Sequence, residues 1–130
     1  MGSRQPGRPS GSAGSRRQTG VRGEEIAAAH LRGLGYEIVA RNVRTRYGEI
    51  DIVARDRDCL VFVEVKTRRS NALGAPEEAA DPRKLAQVAA LAESYLATLP
   101  GPEPECRIEV VAVELLPNGD PRRVAVLRAD

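Results

Sequence analysis

The stretch "GEIDIVARDRDCLVFVEVK", residues 48–66, constrains the fold more than any other part of the chain. Two runs rich in Ile, Val and Phe flank the polar tetrad "RDRD", which predicts two antiparallel strands, roughly 48–55 and 60–67, joined by a tight turn over Asp56 to Cys59. Both runs are apolar at consecutive positions and not only at alternate ones, so the pair is expected at the centre of a sheet covered on both faces. Yet these strands carry Glu49, Asp51, Glu64 and Lys66. Charges in a covered sheet are costly to desolvate and require a reason.

Alternation along the second strand sends Leu60, Phe62, Glu64 and Lys66 to one face and Val61, Val63 and Val65 to the other. With the turn at 56–59, Arg55 faces Leu60, and the same register puts Asp51 across from Glu64 and Glu49 across from Lys66. Two carboxylates side by side repel one another. Either Lys66 or a divalent cation can compensate, since converging carboxylate oxygens suit a hard ion such as Mg2+. The alternative that needs no ion is a salt-bridged hairpin pairing Glu49 with Lys66. Lysine is scarce: of 20 basic residues only Lys66 and Lys84 are Lys. An ammonium inside an apolar strand therefore suggests a use for a compact charge whose pKa can move, which guanidinium does not offer.

The remaining elements follow from periodicity and punctuation. From Gly23 an apolar stripe of Ile26, Ala27, Leu31 and Leu34 predicts a helix stopped at Gly35. Glu24 shares the face of Ala27, Ala28 and Leu31 and points to the sheet, whereas Glu25 points to solvent. "YEIVAR" at 36–41 reads as a strand. After a loop with Gly74 and Pro76, a second helix is capped by Asp81 with Pro82 at its first position, and turns Leu85, Val88, Ala92, Tyr95 and Leu99 inward. "RIEVVAVEL" and "RRVAVL" form a last strand pair around "PNGD". At 130 residues the chain has room for one core. Residues 1–20, made largely of Gly, Ser, Pro and Arg, are expected to be a disordered basic arm, and 21–130 the folded domain.

Charge and apolar length exclude several functions. Residues 1–23 hold five of the 20 basic residues and none of the 18 acidic ones, which leaves the remainder at −3. The body is thus no globally basic nucleic-acid binder, and phosphate contacts must come from local clusters. No run of 18 apolar residues exists and no apolar segment follows the N-terminus, so a cytoplasmic protein without a membrane span is expected. Cys59 and Cys106 lack metal-type spacing and are expected as two buried thiols without a disulfide.

"GEID" followed after twelve residues by "EVK", with "GEE" on an upstream helix, resembles the PD-(D/E)xK pattern of restriction-endonuclease-like nucleases. From about Gly20 to Leu115 the chain resembles the YraN-type bacterial family, itself similar to Holliday junction resolvases. The resemblance implies an α/β fold of order αβββαβ(β), a central mixed sheet flanked by helices. It implies Asp51, Glu64 and Glu24 as ligands of Mg2+ or Mn2+, Lys66 as the residue that orients or activates the attacking water, and Glu24 as the acid that completes the catalytic set. Ile50 stands where the general pattern has Pro, and Glu49 is an additional acid to which the pattern gives no role.

The implied activity is Mg2+-dependent hydrolysis of DNA phosphodiesters, with branched DNA as one substrate class and a homodimer as the assembly by analogy with the resolvases. Arg44 and Arg46 before the first of the central strands, Arg68 and Arg69 after the second, and Arg83 with Lys84 at the start of the second helix are candidate contacts to duplex or branched DNA. The scarcity of aromatic residues argues against recognition by base stacking. Two other readings share the sequence: a nucleic-acid-binding or protein-interaction module on the same fold that does not cut, and a structural protein whose hairpin charges form an internal ion-pair network.

Overall fold

The computed structural model describes residues 13–69 and 80–129. The loop containing Gly74 and Pro76 lies outside them, as do the first twelve residues of the expected basic arm. In chain order the elements are α1 (Ala13–Gly33), β1 (Glu37–Thr45), β2 (Gly48–Asp56), β3 (Cys59–Arg69), α2 (Pro82–Leu96), β4 (Glu105–Leu115) and β5 (Pro121–Arg128). This is an α/β arrangement with the order αβββαββ, and the five strands form one mixed sheet in the order β1-β2-β3-β4-β5. β3 and β4 are parallel and the other neighbours antiparallel, so α2 lies on the crossover between the parallel pair.

The helix expected from Gly23 begins ten residues earlier, at Ala13. Its end is as expected. Gly35 adopts φ 97°, Tyr36 N–H reaches the Leu31 carbonyl at 3.0 Å, and Gly35 N–H reaches the Arg32 carbonyl at 2.9 Å. This left-handed cap satisfies carbonyls that the last helical turn leaves free. α2 is capped as its sequence predicts: the Asp81 side chain accepts from Arg83 N–H, and Pro82 occupies the first turn.

Each face of the sheet is covered by one helix, and β3 sits in the middle. Ile52, Ala54, Val61, Val63, Val111, Val113 and Leu115 pack with Ala27, Ala28 and Leu31 of α1. Ile50, Val53, Leu60 and Phe62 pack with Val88, Leu91 and Ala92 of α2, and Phe62 meets Tyr95 edge to face at 5.7 Å. The consecutive apolar positions of β3 are thus explained, since residues 60–63 alternate between two buried layers.

At the start of β4, Arg107 ties three elements together. Its guanidinium donates to Glu109 and Asp56 at 2.8 Å each and to the Tyr36 hydroxyl at 2.9 Å, while Tyr36 donates to Glu109 at 3.0 Å. Glu109 is only 3% exposed, and these donors satisfy its buried carboxylate oxygens. The thiols depart from expectation: Cys59 is half-buried and Cys106 exposed, both free.

Candidate metal centre

The β2–β3 ladder has the register read from the turn, Arg55 opposite Leu60, and continues to Ile52 opposite Val63. There it stops. Asp51 comes next in line with Glu64, but its Oδ2 instead accepts from the Val65 backbone N–H at 2.8 Å. A side chain has replaced the strand partner. The expected pairing of Glu49 with Lys66 is consequently not formed; Glu49 accepts from Arg44 Nε at 3.1 Å on the β1 side.

The cause is a break in side-chain alternation. Ile50 and Ile52, two apart on one strand, belong to opposite layers. Across from this step, Asn42 lies between Arg41, paired with Ile52, and Val43, paired with Ile50, so it faces Asp51. Asn42 has φ 52°, and its neighbours Ala40 and Val43, which regular alternation would send to opposite faces, both pack toward α2. Asn tolerates this left-handed conformation better than most residues.

Helix α1 brings the remaining acid. Gly23 is buried where α1 crosses β3, and a Cβ there would run into the Thr67 side chain. That close approach sets the next residue, Glu24, against the irregular step of the sheet. Carboxylate oxygens of Glu24, Glu49 and Asp51 lie within 4.8 Å of one another. The Asn42 amide donates to Glu24 Oε1 at 3.0 Å and to Glu49 Oε2 at 2.9 Å.

Glu64 neighbours Asp51 but lies outside that trio. Burial, opposed by the Val65 N–H and reinforced by the Glu24 and Glu49 charges, pushes the Asp51 carboxyl up to about 6. Burial and the Asp51 charge push Glu64 up to about 7, against the nearby Lys84 and Lys66. Lys84 Nζ is 4.0 Å from Glu64 Oε2, while the buried Oε1 has no hydrogen-bond partner. Beside these groups a cleft of about 530 Å³ is lined by Thr19, Gly20, Glu24, Glu64, Val65, Lys66, Thr67 and Arg69, which places three of the four candidate catalytic residues on one cavity.

The candidate phosphate contacts divide. Arg69 lines the cleft. Arg44 is held by Glu49, and Arg46 lies 5.3 Å from the ring of Tyr47, which is 69% exposed at the β1–β2 turn. Arg68 is half-buried, Arg83 is exposed at the start of α2, and Lys84 faces Glu64 directly. Sequence reasoning passed over Asn42, although an Asn inside "VARNVR" is a poor strand former and marked the irregularity.

A family model described as "Uncharacterised protein family UPF0102" matches residues 23–113. Over 103 residues the chain is 52% identical to a UPF0102 protein of Symbiobacterium thermophilum, covering 79% of this chain and 87% of the relative. A UPF0102 protein of Syntrophomonas wolfei is 50% identical over 75% of this chain and 84% of its own. One from Syntrophus aciditrophicus is 47% identical, with 78% and 80% covered. No helix among the described residues is long and apolar enough to cross a membrane.

Proposed function

The chain belongs to the UPF0102 family, and from the arrangement of its acids we propose that it is a divalent-cation-dependent nuclease that hydrolyses DNA phosphodiesters. Family membership carries no activity by itself, so the reading rests on the site. The observation that carries it is the buried Glu64 Oε1, which has no hydrogen-bond donor and stands beside the half-buried carboxyl of Asp51. Such a pair is short of positive charge, and an oxygen-seeking cation fits the donor set.

Asp51 and Glu24 would hold Mg2+ or Mn2+, with Glu64 on the cleft and Glu49, whose oxygen lies within 4.8 Å of theirs, as the further carboxylates. When bound, the ion would supply Lewis-acid neutralisation of phosphoryl oxygens and a more acidic water. The chain's own residues do the rest. Val65 N–H fixes the Asp51 carboxylate. Lys66, on the cleft wall, would orient the attacking water or offset charge building on the phosphoryl group. Lys84 opposes the rise in proton affinity that burial and Asp51 impose on Glu64. Arg69 on the cleft and Arg68, Arg83, Arg44 and Arg46 around it would meet the backbone of duplex or branched DNA, and two copies related by a two-fold axis would address both strands.

A module that binds nucleic acid or a protein without cutting is the second reading, favoured by the Lys84 ammonium that already faces Glu64. Thermal unfolding with and without Mn2+, followed by nicking assays on a branched DNA, separates them. The nuclease reading expects a cation-dependent rise in melting temperature that Asp51→Asn abolishes, and nicking that Lys66→Ala abolishes. Wild-type protein that binds branched DNA but leaves it uncut with Mg2+, Mn2+ and Ca2+ would establish the module.

A further inference from the structure

We infer that Asn42 is a positioning residue of this site, whose amide holds the carboxylates of Glu24 and Glu49 at a fixed spacing beside Asp51 before any cation arrives. The inference rests on the proposed cation site for its purpose, and on the geometry of Asn42 for its substance. A carboxamide nitrogen carries two hydrogens, and here they go to two different acids, Glu24 Oε1 at 3.0 Å and Glu49 Oε2 at 2.9 Å. The two acids come from elements far apart in the chain, α1 and β2, and Asn42 on β1 is the bridge between them.

Without such a bridge, carboxylates this close to one another and to Asp51 would turn away into solvent, because like charges repel. A neutral donor suits the task. Lysine or arginine at this place would also hold the acids, but would add a charge opposing a divalent ion. Each carboxylate keeps lone pairs after accepting from Asn42, as does Glu49 with its second hydrogen bond from Arg44 on the other oxygen, so the oxygens stay available as ligands. The backbone makes the same selection: φ 52° in a strand admits Asn or Gly far more readily than the β-branched residues a strand would otherwise use. Asn42 thus meets two demands at once, a left-handed backbone and a two-handed donor.

Those demands can be separated. Asn42→Gly keeps the backbone conformation and removes the donor, whereas Asn42→Asp keeps the shape and replaces the donor with a further acceptor. Three measurements are made on wild type and both variants: Mn2+ affinity by calorimetry, thermal unfolding in chelator, and crystal structures of the cation-free proteins. Asn42→Gly is expected to unfold within a few degrees of wild type yet to bind Mn2+ about tenfold more weakly, for the loss of two charge-assisted hydrogen bonds. Its crystals should show Glu24 and Glu49 moved apart. Asn42→Asp is expected to melt earlier in chelator and to recover with Mn2+.

A purely structural residue would lower the melting temperature and leave the Mn2+ affinity unchanged. An Asn42→Gly crystal in which both acids keep their places would overturn the inference, as would unchanged Mn2+ affinity. If wild type shows no response to Mn2+ or Mg2+, the cation site itself fails. The crystals still judge whether Asn42 holds the two acids.

Discussion

Replacing Asp51 with Asn should make the cation-free protein more stable at neutral pH, and the size follows from the burial of this carboxylate. In the unfolded chain the group has its ordinary pKa of 3.8, whereas burial and the Glu24 and Glu49 charges raise it to about 6 in the folded protein. A raised folded pKa contributes stability that is fully present below 3.8 and is lost as the pH rises through 6. Above about pH 7 both states are ionised and the full cost is felt, about 3 kcal/mol at 1.36 kcal/mol per pH unit. Between pH 5 and pH 8 the same two pKa values make Asp51 responsible for a loss of about 1 kcal/mol.

The Asp51→Asn substitution removes this charge while the amide Oδ1 can still accept from Val65 N–H, so the contact that replaces the ladder survives. Urea unfolding of both proteins in chelator at pH 5 and pH 8 isolates the effect of the acidic pair, because groups remote from it cancel in the comparison while Glu64, relieved of the Asp51 charge, shifts the balance in the same direction. The Asp51→Asn variant should gain about 1 kcal/mol or more on wild type over that interval, and added Mn2+ should reverse the order by stabilising wild type alone. A stability difference that is the same at both pH values, or that moves toward wild type as the pH rises, would refute the buried-carboxylate argument.

Three further outcomes are expected. Gly23→Ala pushes a methyl into Thr67 where α1 crosses β3, and should cost about 1–3 kcal/mol in urea unfolding, partly restored by Thr67→Ala in the same chain. Arg107→Met strips the donors from Glu109 and Asp56; thermal and urea unfolding should show a loss of about 3–5 kcal/mol, while the Mn2+-induced stabilisation of the protein that remains folded is kept. Lys84→Ala removes the stronger of the two positive charges that lower the Glu64 pKa, so the pH at which Mn2+ binding reaches half its maximum should move upward in calorimetric titrations, and an unmoved midpoint would show that Lys84 does not act on Glu64.

The features legible in the sequence are those set by local rules. The turn around Arg57, itself at φ 58°, is short enough to fix the register of the central hairpin, so Arg55 facing Leu60 could be read directly. Asp81 with Pro82, and Gly35, mark their helix ends through chemistry that acts within a few residues. The early start of α1 was hidden because "AGSRRQTGVR" has no apolar stripe to give a period. Glu49 was misplaced for a different reason. Its assignment to Lys66 assumed an unbroken ladder, and the ladder ends where Asp51 takes the Val65 N–H. That substitution involves residues fourteen apart and a change of alternation at Asn42 and Asp51, which no two-residue periodicity can announce.

The Arg107 knot and the acidic step lie toward opposite ends of the same strands, with Asp56 in one and Asp51 in the other, five residues and roughly 17 Å apart along β2. One end anchors the architecture and the other carries charge that weakens it. Asp51 variants of this protein should therefore fold at least as well as the parent, so a lost cation response in one of them reports on the site itself and not on a collapsed chain.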